Sequence, residues 1–253
     1  MMRTLAFIQA RMSSSRLPGK VLAPLQGEPL IVYMARRASL AKRLNGVVIV
    51  TSTDPSDDTL AAAVGAAAIP VFRGDLVDVL KRYADAAQAH GADEIVRLTG
   101  DCPLIDPDVI DAVIDARRSA GADYASNVDP PTFPDGLDVE CFTRDALVRA
   151  DRLATRGPER EHVTLWMRSE LAALRRTNHR AVADLSHLRL TVDYADDLML
   201  VRSLLARLPP NGNFDWFDIL RVLTATTGLA AMNPHDRNEG LARSLADDRS
   251  NSR

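Results

Sequence analysis

Short apolar segments alternate with longer amphipathic segments along most of the chain. The segments rich in apolar and β-branched residues lie at 5–8, 47–51, 69–72, 94–98, 123–126, 139–142 and 188–192. The segments with helical periodicity lie at 29–44, 57–67, 77–90, 107–120, 144–153 and 198–208. Strands that alternate with helices of this length are typical of βαβ units. The pattern therefore predicts an α/β fold with a mainly parallel central sheet and helices on both faces.

Two segments depart from this alternation. Residues 127–140 form a proline-rich, acidic connection, and a loop of that length inside a compact domain is usually functional, mobile or part of an interface. The polar tail from His235 to Arg253 shows little periodicity beyond one weak helical turn, so we expect it to be flexible. Because no internal repeat or low-complexity linker interrupts the rest, we expect one domain over residues 1–234.

The composition is that of an ordinary globular protein. Hydrophobic residues make up 46% and charged residues 26% of the 253 residues. The formal net charge of −3 provides no overall basic field, which argues against a dedicated nucleic-acid binder. Cys102 and Cys141 lack metal-ligand spacing, so a reducing cytoplasm is the expected location. The N-terminus lacks a signal-peptide pattern, and no apolar run approaches the roughly 20 residues needed to span a bilayer.

The loop after the first predicted strand combines cations, hydroxyls and a Pro-Gly pair. Between Gln9 and Leu22 it carries Arg11, Arg16 and Lys20. Arginine forms forked hydrogen bonds to phosphate oxygens, lysine supplies a mobile point charge, and glycine lets the backbone approach a ligand closely. A solvated turn with incidental cations is the alternative interpretation. The position directly after a strand favours a loop that binds nucleotide phosphates.

Two aspartates follow predicted strands at the same edge of the sheet. Asp101 comes after the fourth predicted strand, and Asp193 comes after the seventh. Ligands of an open α/β sheet bind beyond the carboxyl ends of the strands, where the basic loop also lies. Two carboxylates and a triphosphate would form a Mg²⁺ site from hard oxygen ligands. The alternative for each is a turn or a helix cap, the role that we expect for Asp106 and Asp196.

His162 has a less specific context. It ends the run Arg160-Glu161-His162, which opens a predicted helix reaching Trp166. A base or a substrate contact is one interpretation, and a structural histidine in a helical turn is the other, which we favour. The sequence contains no nucleophilic Ser or Cys constellation, and Cys102 beside a proline is expected to pack rather than to react.

The segment from Gln9 to Leu22 closely resembles the opening signature of the CMP-sugar synthetase (cytidylyltransferase) superfamily, which includes the Kdo and acylneuraminate cytidylyltransferases. The rest of the chain is most similar to the branch of spore coat polysaccharide biosynthesis protein F. The matching segments run in order and lie at 51–58, 72–75, 78–83, 101–107, 134–140, 160–164 and 190–193. Each segment alone is a weak signal, whereas the ordered set is specific.

The resemblance implies a Rossmann-like, GT-A-type nucleotidyltransferase fold that uses CTP and Mg²⁺ and commonly forms a homodimer. The residues that match its nucleotide site are Gln9, Ala10, Arg11, Ser13, Arg16, Lys20 and Thr99. Among them, Arg11, Arg16 and Lys20 match the positions that hold the triphosphate and act in catalysis. Asp101 and Asp193 match the two metal-binding aspartates. The implied contacts to the acceptor sugar, in a region near 127–165 that also serves the dimer, are Asp135, Gly136, Asp138 and Glu140.

One segment departs from the Kdo-type pattern. Those enzymes usually carry Gln-Gly-Asp-Glu-Pro where this chain has Thr99-Gly100-Asp101-Cys102-Pro103, and the missing glutamine normally helps to read the base. The choice of base and of acceptor therefore stays open. The expected activity is Mg²⁺-dependent transfer of CMP from CTP to an acidic sugar or related acceptor of cell-surface or spore-type polysaccharide synthesis, with release of pyrophosphate. The alternatives are a nucleotidyltransferase that uses another NTP and a sugar phosphate or phosphonate, and a non-catalytic nucleotide-sugar binding protein.

Overall fold

The computed structural model describes residues 2–229, 235, 237 and 239–251. The strands in these residues are β1 (Thr4–Gln9), β2 (Pro24–Leu25), β3 (Glu28–Pro29), β4 (Gly46–Ser52), β5 (Val71–Gly74), β6 (Glu94–Thr99), β7 (Tyr124–Ser126), β8 (Glu140–Thr143) and β9 (Arg176–Asn178). The α-helices are α1 (Leu30–Ala38), α2 (Asp58–Ala66), α3 (Val79–His90), α4 (Pro107–Ser119), α5 (Arg144–Leu153), α6 (Gly157–Glu161), α7 (Leu165–Arg168), α8 (Ala195–Leu205), α9 (Trp216–Ala225) and α10 (Glu239–Asn251).

A seven-stranded sheet forms the centre of the described chain, with the strand order β5-β4-β1-β6-β8-β7-β9. β1 lies between β4 and β6 and pairs in parallel with both, and β5 extends the parallel run at one edge. Among the described strands of this sheet, only β8 runs antiparallel to its neighbours. The mainly parallel sheet is therefore confirmed, and the carboxyl ends of β1, β4 and β6 lie at one edge.

Alternate side chains of the central strands enter different cores, because successive residues of a strand point to opposite faces. In β1, Ala6 and Ile8 pack with α1, α2 and α4, while Leu5 and Phe7 pack with α3 and α5. Burial on both faces explains the continuous apolar run of β4. The prediction of helices on both faces is thus confirmed, and a third core joins α1 to α8 and α9.

Most predicted elements have counterparts close to their predicted places, and α5 has the predicted bounds. Helix α1 ends at Ala38 rather than at Leu44, and the prediction missed β9 and α9. Within the predicted tail, α10 is longer than the single turn that the sequence indicated. Residues 230–234, 236, 238 and 252–253 lie outside the described residues, and the limits of the domain stay a prediction. No helix in the described chain is long and apolar enough to cross a membrane.

The predicted strand at 188–192 is wrong. Among the described residues, this segment forms a single isolated β-bridge, between Arg189 and Asp135. Backbone N–H groups of Leu190 and Val192 donate to the carbonyls of Asp135 (2.7 Å) and Asp101 (2.8 Å), so the segment joins two loops instead of a sheet edge. The side chains of Leu190 and Val192 are buried in the third core. Burial favours β-branched and apolar residues in strands, but here the same residue types are buried without forming a strand.

Candidate active site

The larger of two neighbouring cavities has a volume of about 430 Å³ and lies at the carboxyl ends of β1 and β6. It is lined by all nine residues that the sequence analysis assigns to the nucleotide and the metal: Gln9, Ala10, Arg11, Ser13, Arg16, Lys20, Thr99, Asp101 and Asp193. The basic loop reaches it because β1 ends at Gln9 in the middle of the sheet. The structure therefore brings these side chains to one place.

The basic loop keeps its shape through backbone contacts. The N–H group of Met12 donates to the carboxylate of Asp57 (2.7 Å), and the N–H of Gly19 donates to the carbonyl of Met12 (3.1 Å). Gly19 has a φ of 72°, in the left-handed region that favours glycine. Asp57 is buried and also accepts from the backbone and the hydroxyl of Ser52, at the end of β4. The loop is thus anchored to the neighbouring parallel strand.

Lys20 connects the two predicted metal aspartates. Its Nζ lies 2.8 Å from an Asp193 oxygen and 3.4 Å from an Asp101 oxygen, and it donates to the carbonyl of Val192 at 2.7 Å. Burial lowers the pKa of Lys20, but the two carboxylates outweigh it and the net pKa is raised. Burial raises the pKa of Asp101, yet Lys20 and the Thr99 hydroxyl bring it down to about 2. Three oxygens from two segments of the chain, two of them from the adjacent residues Val192 and Asp193, therefore surround the Lys20 ammonium.

Asp193 is held by two further cations. Arg16 contacts its Oδ1 at 2.6 Å, and the buried Arg189 donates to its Oδ2 at 2.7 Å. Arg189 also reaches Asp197 at 2.8 Å. Asp197 accepts from the N–H groups of Asp193 and Tyr194, which makes it the residue that satisfies the start of α8. The cap expected at Asp196 is therefore provided by Asp197, one residue later.

A smaller cavity of about 240 Å³ adjoins the larger one and shares with it Gln9, Arg16, Thr99, Asp101, His162 and Asp193. Three of the four predicted acceptor residues line it, namely Asp135, Asp138 and Glu140. The fourth, Gly136, is buried beside it. The predicted donor and acceptor residues thus occupy adjacent cavities, and the shared residues lie where the two meet.

The pKa values of the three predicted acceptor carboxyls in the smaller cavity are shifted by burial and by neighbouring charges. It raises the pKa of Asp135 to about 6 and that of Asp138 to about 7, against the opposing charge of Arg237. Arg237 donates to Asp138. For Glu140 the burial is outweighed by Arg97, so its pKa is lowered. Among these three carboxyls, two therefore titrate near neutrality and Glu140 stays ionised.

Arg97, which the sequence analysis did not select, is positioned by strand register. Arg97 of β6 lies opposite Glu140 of β8, and the two form a buried ion pair. Glu140 also accepts from the hydroxyl of Tyr124 at 2.5 Å, and Arg97 donates to Gln9 at 3.2 Å. The sequence signal that could have identified Arg97 was its charge, because an arginine inside an apolar strand needs a partner.

Gly136 allows a close contact between the two loops that form the smaller cavity. Its φ is 103°, and an added Cβ would lie 2.9 Å from the carbonyl carbon of Leu190. We expect Gly136→Ala to lower the free energy of unfolding by about 1–3 kcal/mol, measured by urea denaturation. Gly27→Ala is the control, because Gly27 also has a positive φ (85°) but no atom within 4 Å of an added Cβ. Equal losses in the two variants would contradict the proposed contact.

A second cluster of possible metal ligands lies at the start of α8. The ligand atoms of Asp196, Asp197 and His235 lie within 4.8 Å of one another. The carboxylate of Asp197 already accepts from two backbone N–H groups and from Arg189. Its hydrogen bonds account for this arrangement, and we assign no metal site to it.

The basic loop after β1, at the carboxyl edge of a mainly parallel sheet and facing two carboxylates, defines an α/β protein that binds phosphorylated nucleotides. The chain belongs to the cytidylyltransferase family, whose model matches residues 5–197. It is therefore a nucleotidyltransferase, and the resemblance seen in the sequence is confirmed.

The relatives agree with this assignment. The chain is 35% identical over 207 residues to the spore coat polysaccharide biosynthesis protein SpsF of Bacillus subtilis, covering 79% of this chain and 85% of that protein. A solved cytidylyltransferase from Leptospira borgpetersenii superposes with a TM-score of 0.87 at 30% identity, covering 94% of this chain and all of that one (100%). A CMP:2-keto-3-deoxy-manno-octonic acid synthetase solved with CTP superposes with a TM-score of 0.65 at 21% identity, covering 81% of this chain and 99% of that one. These likenesses confirm the Rossmann-like nucleotidyltransferase fold.

Proposed function

We propose that this enzyme transfers CMP from CTP to an acidic sugar or related acceptor, in a Mg²⁺-dependent reaction that releases pyrophosphate. The observation that carries the proposal is the convergence of Arg16, Lys20, Asp101 and Asp193 on one cavity. CTP as donor is supported by the family and by the CTP complex of a structural neighbour. The relative named for spore coat polysaccharide biosynthesis supports a role in the synthesis of a surface polysaccharide.

The oxygens around Lys20 fit a divalent cation. Carboxylate oxygens of Asp101 and Asp193 and the carbonyl of Val192 all lie within 3.4 Å of the Lys20 ammonium. Mg²⁺ prefers such hard oxygen ligands and usually completes its shell with water and substrate phosphates. We propose that Asp101 and Asp193 hold Mg²⁺ with the triphosphate. When bound, the cation would neutralise phosphate charge and make the α-phosphorus more electrophilic.

The residues of the basic loop would then act on the donor. An acceptor oxygen attacks the α-phosphorus, the bond to the β-phosphate breaks, pyrophosphate leaves and the acceptor's proton is released to solvent. Arg11, Arg16 and Lys20 would stabilise the charge that develops on the leaving pyrophosphate. In the structure Arg16 and Lys20 are neutralised by Asp193 and Asp101, so the incoming phosphates must replace those carboxylates as partners.

The smaller cavity is the proposed acceptor site. Asp135, Asp138 and Glu140 line it together with Arg97, Arg168 and Arg189, so it offers both acceptors and donors for hydrogen bonds to a polar sugar. Its shared boundary with the larger cavity would place an acceptor oxygen near the α-phosphate. Positioning of this kind supplies much of the rate in phosphoryl transfer. As the resemblance implies, we also expect a homodimer, which light scattering of the purified protein would measure.

A pyrophosphate-release screen tests the proposed reaction. The purified enzyme with Mg²⁺ is offered each of CTP, UTP, GTP and ATP against 2-keto-3-deoxy sugar acids, neutral sugars, sugar phosphates and phosphonates. We expect release with CTP and a sugar acid. Release with another NTP and a sugar phosphate would replace the proposal by that activity. Nucleotide binding without release across the panel would indicate a non-catalytic binding protein.

A further inference from the structure

Arg82 is a buried arginine that faces the larger cavity. It lies in α3, is 3% exposed and lines the same space as the basic loop. Burying a guanidinium away from water is costly unless an anion or several acceptors compensate its charge. The surroundings of Arg82 therefore indicate what the cavity is built to hold.

The described residues provide no direct partner for the Arg82 guanidinium. Across residues 2–229, 235, 237 and 239–251, none of its nitrogens makes a hydrogen bond or an ion pair, and its Nε is buried without one. The nearest carboxylates are used elsewhere: Asp57 accepts from Met12 and Ser52, and Asp75 accepts from the N–H groups of Val77 and Asp78. Burial lowers the pKa of Arg82, and it outweighs the opposing charges of Tyr83, Asp57 and Asp75, so the net pKa is lowered.

The stem of Arg82 is fixed by its packing. A Cβ added at Gly74 would lie 3.0 Å from Cγ of Arg82 and 3.3 Å from its Cβ, so the absent side chain of Gly74 makes room for the arginine. The side chain of Asp78 accepts from Lys81 N–H at the start of α3 and anchors the helix that carries it. The stem that carries the guanidinium is thus packed before any ligand arrives, which lowers the entropic cost of binding one.

Two of the other cations of the cavity are already neutralised and the third, Arg11, is exposed to water, whereas Arg82 is buried and has no partner among the described residues. Lys20 lies between Asp101 and Asp193, and Arg16 contacts Asp193 and Glu239. We infer that Arg82 binds the polyphosphate of the donor nucleotide and makes the site selective for a triphosphate over a monophosphate. This inference rests on the proposed use of a nucleoside triphosphate, and it adds a residue that the sequence analysis did not select.

The test uses Arg82→Met, which keeps the length of the stem and removes the charge. Titration calorimetry measures the binding of CTP, CMP and inorganic tripolyphosphate to the wild-type and variant proteins. A charge-assisted hydrogen bond contributes enough that we expect affinity for CTP and tripolyphosphate to fall about 10- to 100-fold. The affinity for CMP should stay within about twofold, because CMP carries no β- or γ-phosphate. Without ligand, the melting temperature should stay the same or rise, since an uncompensated buried charge is lost.

Arg37→Met is the matched control. Arg37 is equally buried at 2% exposed, but it donates to the carbonyls of Gly212 (2.8 Å) and Phe214 (3.0 Å). Its loss should lower the melting temperature and leave CTP affinity unchanged. If Arg82→Met instead lowers the melting temperature as Arg37→Met does and binds CTP normally, Arg82 is structural and the inference is overturned. Should the methionine variant not fold, Arg82→Lys is titrated in its place, with a several-fold loss expected because the forked geometry is gone.

The same titrations separate this inference from the proposed function. Wild-type binding of tripolyphosphate but not of CTP, with loss in Arg82→Met, would support the role of Arg82 and reject the cytidylyl donor. Equal CTP affinity in the wild type and in Arg82→Met would reject the role of Arg82 and leave the proposed function in place. A wild type that binds neither compound would overturn both.

Discussion

An Asp101→Asn variant is expected to fold like the wild type and to lose turnover by about a thousandfold. The amide keeps the shape of the side chain but removes the charge that Asp101 contributes beside Lys20 and Asp193. Without that charge the proposed Mg²⁺ site loses one of its two carboxylates. Pyrophosphate release under saturating CTP measures turnover, and thermal unfolding checks the fold.

The matched control is Asp108→Asn, because Asp108 is an exposed residue in the first turn of α4 and lies outside both cavities. Its turnover should equal that of the wild type. Lys20→Ala should lose turnover to a similar degree and still fold, since Arg16 and Arg189 remain on Asp193. Full CTP-dependent activity in Asp101→Asn would remove Asp101 from the proposed metal site.

Glu94→Gln is expected to cost about 3–5 kcal/mol of unfolding free energy, the largest loss of stability that we predict. Glu94 is fully buried and accepts from Arg117 (2.5 Å), Arg118 (2.6 Å) and the hydroxyl of Thr4 (2.7 Å). A glutamine leaves the buried Arg117 without a compensating charge. Urea denaturation at neutral pH measures the difference.

Asp115→Asn provides the comparison for this variant. Its ion pair with Arg43 is exposed, with side chains 45% and 50% accessible, so its removal should cost far less than Glu94→Gln does. If both substitutions cost the same, burial does not govern the strength of the Glu94 cluster.

The contribution of Glu94 to the free energy of unfolding should also depend on pH. Burial raises the pKa of Glu94, but hydrogen bonds from Arg118 and Thr4 and the charge of Arg117 outweigh it and hold the pKa below its ordinary value of 4.5. A carboxyl with a lowered folded-state pKa stabilises the protein above its unfolded-state pKa and loses that effect as the pH falls through the folded value. The wild type's advantage over Glu94→Gln should therefore be full at neutral pH and shrink in acid below about pH 4.5.

Local patterns in the sequence accounted for the parallel core of the fold. The β-branched and apolar runs of β1, β4 and β6 and the amphipathic helices between them appear in the structure close to the predicted bounds. The strand at 188–192 was not predictable in this way, because an apolar run indicates burial and does not say which element provides it. In the structure that segment packs against α8 and α9, and α9 was itself missed.

The residues of the candidate site were likewise predictable from the sequence only in part. The basic loop and Asp101 stood out because polar and charged side chains followed predicted strands, and the segment around Glu140 was implied by the resemblance to the cytidylyltransferases. Arg97 and Arg82 did not stand out, since their importance depends on what surrounds them. Arg97 lies opposite Glu140 through antiparallel register, whereas Arg82 has no direct partner at all among the described residues.

By itself, then, the sequence determined the class of fold, the family and the basic loop after β1, because these depend on local patterns and on the order of short segments along the chain. The tertiary structure alone decided which charges are neutralised in that loop. Lys20 and Asp193, 173 residues apart, meet at 2.8 Å, while Arg82 faces the same cavity and pairs with no carboxylate in the described part of the chain. The physical reason is that charge compensation depends on distance in space and on burial, and neither can be read from the order of residues along the chain.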